Sequence, residues 1–136
     1  MAHFAKIEDG IVTEVCVIHN SVVDPEDSGS DNEQLGKDFI ASLNLEGTWL
    51  QTSYNGNFRK QYAQIGFTYD SSADEFVSFK PIDYEGVECA SWTLDSNNDW
   101  QPPVAKPTDE PAEAKSWVWD ETSYQADNTQ GWVQIP

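Results

Sequence analysis

Apolar and polar residues alternate from His3 to Ile7, and Asp9-Gly10 is a tight-turn dipeptide. Ile11 to Ile18 is then β-branched and mostly apolar. This pattern predicts a β-hairpin at the start of the chain. Its second strand is apolar on both faces from Val15 to Ile18, which predicts a central, two-sided position with Cys16 as a buried small hydrophobe. Residues 20–31 are polar and acidic and read as a surface loop. Leu35, Phe39, Ile40 and Leu43 recur at helical spacing, predicting a helix with one apolar face. Ser30 or Asp31 is its expected cap, with Glu33 closing a capping box onto Ser30. Gly36 within it costs ~1 kcal/mol relative to Ala. Thr48 to Tyr54 reads as a strand ending at Asn55-Gly56, with residues 57–62 as a returning strand or an ordered loop.

The second half carries an internal repeat. Phe67-Thr68-Tyr69-Asp70, Trp92-Thr93-Leu94-Asp95 and Trp117-Val118-Trp119-Asp120 each precede a polar turn, a returning aromatic (Phe76, Trp100, Trp132) and a closing proline. Each unit reads as a hairpin, because residues i and i+2 of a strand share a face and the returning aromatic packs across from them. The Asp starts the turn by accepting backbone N–H groups, and the proline ends the ladder. Residues 101–115 hold four prolines and no large aromatic, which predicts a stiff extended linker. The expected fold is therefore an α+β body over residues 1–81, an antiparallel sheet with one helix. Trp-bearing β-hairpins joined by Pro-rich linkers follow over residues 82–136.

Charge narrows the function. The 136-residue chain has 24 Asp and Glu against 7 Lys and Arg, a formal net charge of −17. That balance opposes direct binding to nucleic acid, which needs cations to displace counterions, and to anionic membranes. No apolar run is long enough to span a bilayer and the N-terminus lacks a secretory pattern, so a soluble protein made in the cytoplasm is expected. Two cysteines make no disulfide framework. Neither Cys16 nor Cys89 has ligand-spaced neighbours, so no metal or cofactor is expected.

His3 and His19 lie in no catalytic pattern and read as structural or solvated, and no phosphate loop or zinc motif is present, so an enzyme is not expected. Asp95 to Asp99 opens like a calcium loop. Trp100 and Lys106 then occupy the positions where that loop needs Gly and Glu, and turn chemistry explains the run better, with a weak surface cation site as the alternative.

The candidate binding residues are Trp92, Trp100, Trp117, Trp119 and Trp132, because exposed indoles anchor interfaces or stack on sugars. Thin hairpins are expected to leave these rings underfilled, so that another subunit, a second copy of the chain or a surface glycan covers them. Arg59 and Lys60 are added because residues 47–69 contain no acid and hold the only adjacent basic pair. That segment reads either as a docking surface for an acidic partner or as a buried sheet segment.

The order Met1 to Ala5, then Trp49-x-Gln51-Thr52-Ser53-Tyr54-Asn55-Gly56-Asn57-Phe58-Arg59-Lys60, then Ile65 to Asp70, resembles small proteins encoded by marine tailed bacteriophages, including cyanophages. Lys80-Pro81, Ser91-Trp92, Trp100-Gln101-x-Pro103 and Trp117-x-Trp119-Asp120 are similar to the tail end of the same family. The resemblance implies a viral origin and supplies no functional residues. The expected role is a non-enzymatic virion structural protein, either capsid decoration or tail-, baseplate- or fibre-associated, packing on other virion proteins. A carbohydrate-binding module at a tail fibre and a tail-fibre assembly chaperone are the alternatives.

Overall fold

A computed structural model describes residues 1–136. The chain folds as α+β in two compact units, Met1–Phe79 and Lys80–Pro136. No helix is long and apolar enough to cross a membrane.

Unit 1 is built on a five-stranded antiparallel sheet of order β3-β1-β2-β4-β5. Its strands are β1 (Ala2–Glu8), β2 (Ile11–Ile18), β3 (Thr48–Thr52), β4 (Thr68–Asp70) and β5 (Glu75–Val77). β1 and β2 turn at Asp9-Gly10, both in the left-handed region with φ of 51° and 76°. That geometry suits Asp and Gly and matches the strand twist.

Register explains how β2 serves two cores. Lys6 pairs with Glu14 but Ile7 pairs with Val12, so Thr13 is an extra residue. The resulting bulge flips strand parity and puts Val12 on the same face as Val15. One face therefore gathers Ala5, Ile7, Val12, Val15 and Leu50 against Ala63, Phe67, Tyr69 and Phe76. The other gathers Ala2, Phe4, Cys16, Ile18 and Trp49 against Val22, Val23 and Ile40. Cys16 is half-buried rather than enclosed.

Two helices lie among the loops of unit 1. The expected acidic loop contains one short helix, α1 (Asn20–Val23), whose N-cap is His19. The longer α2 (Glu33–Ser42) is capped by Asn32, which accepts from Leu35 N at 3.2 Å, rather than by Ser30 or Asp31. Glu33 closes no capping box onto Ser30. Instead it reaches the sheet, accepting from Gln51 N at 2.6 Å and from the Arg59 guanidinium.

The face of α2 also differs from the expectation. Gly36 and Ile40 are buried against the sheet, while Leu35, Phe39 and Leu43 are 38, 38 and 52% exposed. Gly36 allows this seating, because a Cβ there would lie 2.2 Å from Phe4 Cζ. With no side chain at that position the helix backbone rests on the Phe4 ring, and the Leu35-Phe39-Leu43 stripe rotates outward.

Unit 2 holds two small antiparallel sheets and a helix. β6 (Thr93–Leu94) pairs with β7 (Trp100–Gln101), and β8 (Ser116–Trp119) pairs with β9 (Trp132–Ile135). The β8–β9 connection contains α3 (Glu121–Ala126), which the repeat pattern does not predict. Asp70, Asp95 and Asp120, at equivalent places in the three sequence repeats, each accept backbone N–H groups of the following turn.

Candidate functional site

The five candidate tryptophans all belong to unit 2, and β8 and β9 position the centre of the cluster. Trp119 and Trp132 are directly paired across the ladder, with ring centroids 5.3 Å apart and nearly perpendicular. Trp92 meets Trp119 edge-on at 5.7 Å, and Tyr124 of α3 leans on it from another side at 5.7 Å. Offset and edge-on pairs of this kind add to the burial of large rings. Trp119 is consequently 5% exposed and is core rather than contact surface. Gly131, with φ of 141°, lets the chain pass this ring, since a Cβ there would lie 2.4 Å from it.

A buried carboxylate fixes the cluster. Glu121 Oε1 accepts from Trp119 Nε1 at 3.0 Å and from Ser91 Oγ at 2.6 Å. Its Oε2 accepts from Gln125 Nε2 at 2.6 Å and Ser91 N at 3.3 Å. Burial alone would raise its pKa, but these donors outweigh it and hold the group below the usual carboxylate range. Asp83 is held low in the same way: burial pushes it up and backbone N–H groups of Glu121, Val87 and Glu85 bring it down. Beside them the Cys89 thiol is pushed up to about 11, by burial first and then by the Asp83 and Glu121 charges. A thiol so placed is a poor nucleophile.

The proline-rich segment is tied to this framework through the indoles. Trp132 Nε1 donates to Val104 O at 2.8 Å and Trp117 Nε1 to Asp109 O at 3.0 Å, while Ala112 N donates to Gln134 Oε1 at 3.2 Å. The chemistry is complementary. Prolines remove backbone donors and leave carbonyls to be satisfied, and an indole is a donor with no acceptor.

What remains open is a groove of about 660 Å³ lined by Trp92, Trp100, Gln101, Pro102, Pro103, Ala105, Lys106 and Trp132. Three of the candidate tryptophans meet there. Trp119 lies in the core and Trp117 does not line the groove. Lys106 Nζ stands 5.7 Å from the Trp132 ring centre, and Lys80 Nζ stands 5.5 Å from that of Trp100. Such cation–ring contacts hold a lysine over an aromatic face. The lining residues Gln101, Pro102, Pro103 and Lys106 were not singled out from the sequence. For Gln101, Pro102 and Pro103 the signal available was adjacency to Trp100 in the run Trp100-Gln101-Pro102-Pro103, and Lys106 had none.

None of the five indoles is exposed. Trp119 alone is buried, with Trp92 and Trp132 packed on it and on each other, while Trp92, Trp100, Trp117 and Trp132 are half-buried and the proline segment accepts from the indole N–H groups of Trp117 and Trp132.

Arg59 and Lys60 belong to unit 1. The Arg59 guanidinium is 15% exposed and pairs with Glu33 at 2.5 Å and Asp74 at 2.8 Å, and its Nη1 also donates to Gln51 O at 2.8 Å. Burial would lower its pKa, but the two carboxylates raise it above the ordinary arginine value. The charge of Arg59 is thus engaged inside unit 1. Arg59 and Lys60 both have positive φ, at 52° and 73°, in the loop that crosses the sheet. Ala63 N and Gln61 Nε2 anchor that loop to Thr52 Oγ1 and Phe76 O at 2.8 and 2.9 Å.

The histidines have structural settings. His3 stacks on Tyr54 and meets Tyr62 edge-on, both at 5.4 Å, and His19 Nδ1 accepts from Ser21 N. No known protein family, curated protein or solved structure matches this chain.

Proposed function

We propose that this chain is a non-enzymatic structural component of a phage particle that packs on other virion proteins through unit 1. In this reading the Trp-bearing hairpins and their proline-rich links form a second, self-supporting module. The viral setting rests on the resemblance of residues 49–70. The observation that carries the packing role is the Leu35-Phe39-Leu43 stripe of α2, continued by Leu45 at 46% exposure.

Those four side chains stand out from a chain of net charge −17, whose charge otherwise favours solubility and keeps copies apart. Covering their exposed parts is worth roughly 3–5 kcal/mol, at about 1.5–3 kcal/mol for each fully buried large side chain. The stripe is bordered by Asp38, and the whole chain is acidic, so the matching surface is an apolar groove with a basic rim on a neighbouring subunit. Self-association is the less favourable use, since two copies bring their negative charges together.

The test is mass spectrometry of purified particles carrying the wild-type chain or the L35S/L43S variant, with circular dichroism showing that the variant folds. The expected result is wild-type protein present at a fixed copy number and variant protein lost from the particle. Absence of the wild-type chain from particles, as an assembly chaperone would show, overturns the proposal, as does full retention of the variant.

A further inference from the structure

The groove of unit 2 offers a second chemistry, independent of the α2 stripe. Its lining contains three indoles, two prolines, an alanine, a glutamine and a lysine, and no carboxylate. Unit 2 has only three basic residues, Lys80, Lys106 and Lys115, among eleven acids. Two of the three, Lys80 and Lys106, stand at the rings of Trp100 and Trp132 that line the groove. The scarce positive charge of a strongly acidic unit is thus gathered where its aromatic faces are. Asp95 is joined to the lining, where its Oδ2 accepts from Gln101 Nε2 at 3.0 Å.

The occupant has to suit an aromatic lining in which a lysine already stands over one face of Trp100 and of Trp132, leaving the other ring surface for stacking, without needing hydrogen-bond donors from the indoles. Trp132 Nε1 is committed to Val104 O, and Trp92 Nε1 is buried without a partner and shielded from any ligand. A proline-rich peptide laid in an aromatic groove must have its backbone carbonyls satisfied, because its extended helix has no internal hydrogen bonds. Two of the three indoles cannot supply that. A sugar ring instead presents an apolar C–H face for stacking and turns its hydroxyls to water. An acid group on it reaches Lys106, the one lysine of the lining, in a charge-assisted hydrogen bond. The volume lies within the roughly 300–1,000 Å³ usual for small-ligand sites.

We propose that the groove formed by Trp92, Trp100, Pro102, Pro103, Lys106 and Trp132 binds an acidic saccharide, with a ring stacked on indole and its carboxylate or sulfate on Lys106. The net charge of the chain repels such a ligand at long range. At 0.15 M salt that repulsion is screened beyond about 8 Å, so the local lysines decide.

The test titrates the full chain at 0.15 M salt with three probes, followed by tryptophan fluorescence and calorimetry. The probes are a glucuronate-containing hexasaccharide, a neutral glucose hexasaccharide and an acidic proline-rich peptide. The expected result is saturable binding of the acidic sugar, at least tenfold weaker for the neutral one. Trp100→Ala should weaken binding at least tenfold and Lys106→Gln about fivefold. Lys106 is exposed, so Lys106→Gln keeps the fold and decides the matter if Trp100→Ala disturbs the β6–β7 pair. No binding, equal binding of the two sugars, tighter binding of the peptide, or an unchanged affinity in Lys106→Gln each overturns the proposal.

Discussion

Gly36→Ala sets two effects of opposite sign against each other. Alanine is the better helix former by up to about 1 kcal/mol, and Gly36 has ordinary helical dihedrals, so an isolated α2 would gain. In the folded chain the new Cβ would lie 2.2, 2.6 and 3.0 Å from Cζ, Cε1 and Cε2 of Phe4, where ordinary contact begins at 3.4 Å. Either ring or helix must therefore move by about 1.2 Å, the difference between 3.4 and 2.2 Å. Phe4 is fully buried on β1, between β2 and β3. The helix is held by Glu33 to Gln51 N and Arg59, and by Ile40, which is 1% exposed. Overpacking of this kind costs about 1–3 kcal/mol. It offsets the propensity gain at its low end and exceeds it elsewhere, leaving Gly36→Ala about 0–2 kcal/mol less stable. For a unit of this size that lowers the melting transition by up to roughly 15 °C. Replacing Phe4 by Leu removes the atoms in the way, so the F4L/G36A double variant should lose at least ~1 kcal/mol less than the sum of the single losses. Urea unfolding by circular dichroism, with hydrogen exchange across Glu33–Ser42, measures both quantities. A stabilised Gly36→Ala, or strictly additive losses, refutes the close seating of α2 and with it the outward turn of the Leu35 stripe.

Arg59→Met leaves Glu33 partly buried with Gln51 N as its remaining donor, and it should destabilise unit 1 by about 1–3 kcal/mol in urea unfolding. That value is discounted from the fully buried case because Glu33 is still partly wet. Glu121 and Asp83 have folded-state pKa values below their ordinary ones, so the unfolded chain binds more protons as the solution is acidified. Their stabilisation of unit 2 is complete above the ordinary carboxylate range, near pH 4, and is lost as pH falls through the lower folded values. Thermal melts from pH 7 to pH 2 should show this loss. Glu121→Gln should be about 2–3 kcal/mol less stable at pH 7, because the amide meets donors, and should show a shallower acid dependence.

The turns were the most legible part of the fold, for a local reason. Asp9-Gly10 needs left-handed backbone, and Asp70, Asp95 and Asp120 need only the next few N–H groups, so a few neighbouring residues suffice to specify each. The existence of α2 was legible from its spacing, but its orientation was not. Leu35, Phe39, Ile40 and Leu43 span too wide an arc to face one sheet, and the choice among them was made by a glycine that reads, by propensity alone, as a defect. The bulge at Thr13 was hidden because β-branched residues fill both faces of β2, so a parity change leaves no mark in the pattern. α1 and α3, at four and six residues, are too short for periodicity to show. The groove was half legible: its indoles stood out, but the lysines at their faces and the proline walls come together only through tertiary contacts.

The five indoles change the reasoning about what this chain meets. A two-stranded hairpin by itself cannot enclose a tryptophan, which made external cover the natural inference. Unit 2 meets part of the difficulty internally, by pairing Trp119 with Trp132 across one ladder, bringing Trp92 onto both, and giving two indole N–H groups to a donor-poor proline segment. Trp119 is enclosed in this way, and what stays accessible in the unit includes an aromatic groove with lysines at two of its rings, alongside Ile82, Tyr84, Val87 and Leu94. In unit 1 the Leu35-Phe39-Leu43 stripe of α2 is a second accessible surface, apolar and bordered by Asp38. The two surfaces select opposite chemistry, basic and apolar for one, acidic and hydroxylated for the other. A single partner satisfying both would have to carry two differently charged faces, whereas two different partners need carry only one each.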